Sequence, residues 1–265
     1  MLKKLFKHDM IALSKMLGLF SCIALAAGGI GVIAIRLLGS ATGKYADNQV
    51  LSAAFGLFGG LLVFIAVMTL IAYFVVSLFM IARRFYTHFF TDEGYLTFTL
   101  PVTQTQLLVS KYLTACIWIL ITLLTLFCSV LLMILFGPPT IPDLSTIPEI
   151  LAYYGFESAS MASLFAMLVV DVIVDMFCIF LAISLGCMIA KKHKILASVG
   201  LYYVVQMGVS TLSLPFSIVS GVMSMQGNEN AYLFSSLGGI FIEILVACLA
   251  FFFTRLILKK RINLN

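Results

Sequence analysis

Tyr112–Phe136 reads YLTACIWILITLLTLFCSVLLMILF. It contains no Asp, Glu, Lys or Arg, and it exceeds the about 20 apolar residues that a helix needs to cross a hydrocarbon layer. Five further segments have the same character: Met16–Leu38, Val50–Ala82, Met161–Ala190, Ile195–Val219 and Ser235–Leu258. Of the 265 residues 62% are hydrophobic and 10% are charged, where soluble domains carry about a quarter charged residues. A chain of this length cannot hide so much apolar surface from water, so its solvent is lipid. The expected fold is an all-α integral membrane protein, with residues 1–265 forming one transmembrane domain of six helices. The second span is too long for the hydrocarbon alone, so it tilts or projects as helix into water.

The basic residues orient the spans. Lys3–Lys15, Arg83–Lys111, Lys191–Lys194 and Arg255–Arg261 hold every Lys and Arg except Arg36 and Lys44. Alternating crossings put the first four groups on one side, and the positive-inside rule makes that side cytoplasmic, with both ends of the chain on it. A net charge of +5 therefore reads as membrane-flanking charge rather than a nucleic-acid surface. Ala24-Leu25-Ala26 and Leu19-Phe20-Ser21-Cys22 imitate processing sites, but the apolar run continues past them to Leu38, which predicts an uncleaved span. Ahead of it, residues 1–15 place Leu2, Phe6, Met10 and Leu13 on one helical face and most lysines on another. That stripe predicts an amphipathic helix lying in the cytoplasmic interface.

Between the second and third spans lies RRFYTHFFTDEGYLTFTLPVTQTQLLVSK, Arg83–Lys111. Pro101 ends any helix before it and disfavours helical geometry at Leu100. Thr103 and Gln106 then form a capping box, with Val102 and Leu107 spaced for a hydrophobic staple. Upstream, Asp92-Glu93-Gly94 suits the start of a short separate helix, its acids at the N-terminus. The loop reads as helix, bend, helix, with Tyr95, Phe98 and Leu100 as apolar knobs. On the other side Gly137-Pro138-Pro139 and Pro142 form a rigid turn, and Thr146 and Glu149 suit a second capping box. Pro215 predicts either a kink or a break in the fifth span.

The run Glu93-Gly94-Tyr95-Leu96-Thr97-Phe98-Thr99-Leu100-Pro101-Val102, then Gln106-Leu107-Leu108 and Ser110-Lys111, resembles the permeases of ABC-2 type transporters, those of Gram-positive bacteria in particular. The match is confined to about 20 positions, whereas the organisation of six spans and an amphipathic lead-in covers nearly the whole chain. In that family the loop is a coupling helix seated on a cytoplasmic ATPase. The resemblance implies that role for Asp92, Glu93, Gly94, Tyr95, Phe98, Leu100 and Pro101. It also implies a partnership of two ATPase copies and a second permease subunit, in the bacterial cell membrane, exporting a hydrophobic or amphipathic substrate. ATPase closure would push on the loop and tilt the first and second spans. The chain has no Gly-x-x-x-x-Gly-Lys-Ser/Thr to cradle phosphates, so ATP and Mg would sit on the partner and this chain would be no enzyme.

Asp171 and Asp175 stand four residues apart in the fourth span and share a face; Glu243 stands in the sixth. Carboxylates within a membrane are costly unless paired, hydrated or protonated. They line a translocation path, carry protons or ions in a secondary transporter, or are bonded structurally to Ser184, Thr211, Tyr202 or Arg36. Asp171 can also be interfacial. Gly28, Gly29 and Gly31, then Gly56, Gly59 and Gly60, with Gly56 and Gly60 a Gly-x-x-x-Gly pair, allow close helix contact within one subunit or across a dimer seam. The cysteines (Cys22, Cys116, Cys128, Cys178, Cys187 and Cys248) are scattered through the spans and read as reduced thiols. His8, His88 and His193 are dispersed, so no metal site is expected.

Overall fold

The structure, a computed structural model, describes residues 2–91, 103–137, 158–190, 192–226 and 231–262. Its secondary structure there is entirely helical: α1 (Leu2–Thr42), α2 (Gln49–Phe90), α3 (Gln104–Phe136), α4 (Ser158–Ile189), α5 (Lys194–Met225) and α6 (Ala231–Ile262). All six are long and apolar enough to cross a membrane, and Leu57, Phe58, Phe64 and Phe79 on α2 are among many large apolar side chains left exposed. Water does not tolerate apolar exposure on that scale, and lipid does. The chain is a multi-pass membrane protein.

The helices outrun their spans. The 42-residue α2 would measure about 63 Å at 1.5 Å per residue, against about 30 Å of hydrocarbon. Asn48 starts it by accepting the Leu51 N–H on its Oδ1 at 3.4 Å, an N-cap on one of the helix's orphan donors. In the 41-residue α1, residues 2–15 are the opening turns of one helix that runs uninterrupted to Thr42. There is no Gly or Pro before Gly18 to end it. The apolar stripe is covered as well: Leu13 and Leu17 are buried, and so is Asp9 between the turns. A stripe with a buried acid in it suits a seam against protein better than a bed of lipid.

The chain forms two compact units whose boundaries cut through α2 and α3. One comprises His8–Phe79 and Ile117–Ala162; the other comprises Met1–Lys7, Met80–Cys116 and Ser163–Asn265. In the first, glycines let α1 approach its neighbours. A Cβ on Gly28 would meet the Ser129 backbone at 3.1 Å, one on Gly31 would overlap the end of Met133 at 1.9 Å, and one on Gly59 would reach the Ala34 carbonyl at 3.1 Å. Close approach brings polar groups together: Ser129 Oγ donates to the Ala24 carbonyl at 3.2 Å, and the Ser21 and Tyr73 hydroxyls bond at 2.9 Å. Ala24, Ala27, Leu70 and Tyr73 form the buried core between them. Arg36 Nε donates to the Phe136 carbonyl at 2.9 Å. Phe136 is the last residue of α3, so the cation satisfies an orphan carbonyl at the negative end of a helix dipole.

In the second unit α4, α5 and α6 close around Val174, Cys178, Ile242 and Val246, with Val205 and Val209 packed against them. Gly186 makes the α4–α5 hairpin possible, since a Cβ there would lie 2.2 Å from Ser198 Oγ and 2.7 Å from its backbone nitrogen. Of the two alternatives at Pro215, a break is ruled out: α5 is one helix through it. The same unit includes the end of α2 and the start of α3. The Phe85 ring stacks on Phe180 at 4.1 Å, and Tyr112 packs on Phe177, Phe180 and Phe251 at 4.2, 5.0 and 5.3 Å.

These contacts make opposite demands on two glycines. Gly186→Ala forces Ser198 backbone to move and should cost about 1–3 kcal/mol, as overpacking does. Gly56 has nothing within 4 Å of its added Cβ, so Gly56→Ala should be neutral or gain up to about 1 kcal/mol of helix propensity. Thermal unfolding of the two variants in detergent, read against the parent chain, checks both signs.

Candidate functional site

The flank of the 83–111 loop is built as its sequence requires. Thr103 Oγ1 accepts the Gln106 N–H and Gln106 Oε1 accepts the Thr103 N–H, both at 3.3 Å. This is the reciprocal capping box, and it fixes where α3 begins. The residues assigned to ATPase coupling (Asp92, Glu93, Gly94, Tyr95, Phe98, Leu100 and Pro101), Val102 of the staple, and Thr146 and Glu149 lie outside the described residues. What can be followed is how the loop's two ends are held. Phe85, Phe89 and Phe90 on α2, and Leu107, Leu108 and Tyr112 on α3, are all buried.

The second candidate region is polar and lies within the α4–α6 bundle. Tyr202 donates its hydroxyl to Asp175 Oδ1 at 2.7 Å, and Gln206 Nε2 donates to the same oxygen. Gln206 also donates to the Tyr202 oxygen at 3.1 Å, which closes the triangle. Tyr202 and Gln206 are one turn apart, so a single face of α5 offers both donors to α4. Asp171, a turn away from Asp175 and exposed, lies within electrostatic range of both Asp175 and Glu243. Glu243 Oε2 is buried with no hydrogen-bond partner among the described residues. Counted from the Ile189 end of α4 and the Ile262 end of α6 at 1.5 Å per residue, the carboxylates stand about 21–29 Å along their helices.

The three site acids named from sequence therefore gather in one region, and Tyr202 holds one of them. The other structural partners considered do not: Ser184 and Thr211 donate to carbonyls of their own helices, at Phe180 and Met207, and Arg36 caps α3. Gln206 is the partner that reading the sequence missed. Its signal was present, as an amide inside a span one turn beyond a tyrosine.

A second missed feature is a stripe on α5. Gln206, Ser210, Ser213, Ser217, Ser220 and Ser224 recur at spacings of four and three, the repeat that keeps one helical face in line. Each serine donates to a carbonyl of its own helix. Its donor is thus satisfied while its oxygen keeps an acceptor face. Tyr203, Gln206, Met207, Ser210, Thr211 and Leu214 line a shallow groove of about 400 Å³ on this helix. Among the six candidate spans, the one in α5 has the least apolar core stretch and is the least buried within the chain. A helix so little covered by protein should, if it faced lipid, be among the more apolar.

No family model, curated protein or solved structure matches this chain. No group of three His, Cys, Asp or Glu among the described residues is placed to hold a metal, and no disulfide links the cysteines. The chemistry of the site is hydrogen bonding and charge, with a carboxylate held from one side and like charges near it, beside a mostly apolar groove to which Gln206 and a few hydroxyls contribute.

Hydrogen bonds to an ionised group contribute about 1.5–3 kcal/mol each. Tyr202→Phe should leave Asp175 with the Gln206 amide alone and shift its carboxylate band in the infrared difference spectrum against Asp175→Asn. Tyr202→Phe combined with Gln206→Leu should shift the band further and lower the melting temperature more than either single change.

Proposed function

We propose that this chain is the membrane subunit of an ATP-driven exporter of the ABC-2 type, in a bacterial cell membrane, with the basic side cytoplasmic. The observation that carries this reading is the capping box at Thr103–Gln106, two residues after Pro101 in the sequence. It is the part of the coupling-loop pattern that the described residues include, and it starts a helix whose first turns are locked into the bundle. ATP would bind a separate cytoplasmic ATPase, present in two copies and docked on residues 92–101. A second permease subunit would complete the path. The substrate class is hydrophobic or amphipathic: lipid-like spans surround it, while the serine stripe and the groove at Gln206 supply a weakly polar face along which such a molecule can move without losing every hydrogen bond.

The cluster of Asp171, Asp175 and Glu243 favours a second reading, a secondary transporter in which these acids carry protons or ions. Intramembrane carboxylates of that kind mark ion paths as well as structural pairs. The two readings part on energy source. An exporter's transport follows ATP in proteoliposomes with the ATPase present and ignores a proton gradient; a secondary transporter does the opposite.

Glu93→Arg and Leu100→Asp should abolish co-purification of the ATPase from native membranes, with the melting temperature of the purified chain unchanged. Both lie in the proposed docking segment, where reversed charge or a desolvated carboxylate opposes binding. An ATPase that co-purifies normally with both variants would sink the exporter reading.

A further inference from the structure

The largest fully buried side chains among the described residues are Phe85 and Phe180, and they are stacked on each other with ring planes 7° apart. Phe85 is on the last turns of α2 and Phe180 is on α4. Tyr112, on the first turns of α3, touches Phe180 edge-on and packs on Phe177 of α4 and Phe251 of α6. Its hydroxyl donates to Thr254 of α6 at 3.4 Å. Around these rings Leu107, Leu108, Ser110, Met176 and Thr254 are almost completely covered. The fully buried side chains of this unit thus lie on the helix ends that flank the 83–111 loop and on α4 and α6.

Position along the helices gives that packing a consequence. Phe85 is about 7.5 Å, at 1.5 Å per residue, from Phe90 where α2 ends, and Asp175 is about 7.5 Å from Phe180 on α4. Both stretches are unbroken helix, and close-packed rings do not compress to absorb a displacement. A load applied at the end of α2 reaches α4 through the stacked faces of Phe85 and Phe180, and one applied at the start of α3 reaches α4 and α6 through the tilted and edge-on contacts of Tyr112. The end of α2 and the start of α3 form a unit with α4–α6, so these helices are reached by such a push as well as the first and second spans named from the resemblance.

We propose that the Phe85–Phe180–Tyr112 stack is the joint that passes force from the loop to α4 and α6, the helices that carry Asp171, Asp175 and Glu243. This rests on the exporter reading, because it takes the docked ATPase as the source of the force. Phe85 and Phe180 are positioning residues: they touch neither ATPase nor substrate, and their effect is on how far a movement travels.

The test uses the full chain with its ATPase in nanodiscs, Cys22, Cys128 and Cys248 replaced by Ala, and a fluorophore on L237C, an exposed position at the far end of α6. A non-hydrolysable ATP analogue should change the fluorescence of the otherwise unaltered protein. Phe85→Met and Phe180→Leu, which nearly conserve volume and so favour folding, should reduce that change about fivefold or more, a range typical of lost coupling, while the ATPase still co-purifies. Tyr45→Leu, which removes the distant stacked pair with Phe55, should keep it. A merely structural role would lower the melting temperature and ATPase binding together instead. If both stack variants bind ATPase and retain the full signal, the joint is refuted and the exporter reading stands. If the unaltered chain binds no ATPase, both fall.

Discussion

Lipid offers no hydrogen bonds, and most of this structure follows from that. Each backbone N–H and C=O inside the membrane must find its partner in the chain, and helices do so without help from any neighbour. Side chains face the same demand. Thr122 and Thr125 of α3, Ser184 of α4 and Ser210 and Ser217 of α5 donate back to carbonyls four residues earlier. Arg36 finds the terminal carbonyl of α3. Asp175 draws two donors from α5. Among the described residues the demand goes unmet at Glu243 Oε2, as it does at Ser110 Oγ and Trp118 Nε1 of α3, and along the stripe of α5 it is met only on the helix's own backbone.

Two kinds of contact hold the helices once their backbones are satisfied. Toward the side poor in basic residues, α1 meets its neighbours through Gly28, Gly31 and Gly59, which bring backbones close enough for Ser129 and Ser21 to bond across. At the basic ends, the opposite solution fills space with rings: Phe85, Phe180, Tyr112, Phe177 and Phe251. Small residues gain van der Waals contact by approach, and aromatic rings gain it by area and stacking. The second arrangement is found where the loop enters, and it binds that loop's anchor points to the helices bearing the acids.

Some of this was legible in the residues. Span number followed from apolar runs, because hydrocarbon thickness sets a length that composition alone can meet. The start of α3 followed from Thr103 and Gln106, because a capping box is made by residues three apart and needs no tertiary contact. Other features were not legible. Residues 1–15 have an amphipathic pattern that suits a membrane surface or a protein seam equally, and only the burial of Leu13, Leu17 and Asp9 separates the two. Gly56 and Gly60 read like a packing motif, yet nothing lies within 4 Å of the Cβ that either would carry, while Gly31, outside that motif, is filled by Met133.

By itself, then, the sequence determined the properties that depend on distance along the chain: six apolar lengths, the sidedness of the basic residues, the helix start at Thr103 and the absence of a phosphate-binding loop. Tertiary structure decided what depends on which faces meet. It put Tyr202 and Gln206 on Asp175, Arg36 on Phe136, and Phe85 on Phe180, pairs separated by up to a hundred residues. The reason is physical. A local pattern is enforced by backbone geometry within a few residues, whereas a contact between spans depends on how each helix is rotated about its axis, and in lipid an apolar helix presents much the same surface all round until a glycine, a ring or a buried polar group selects one face.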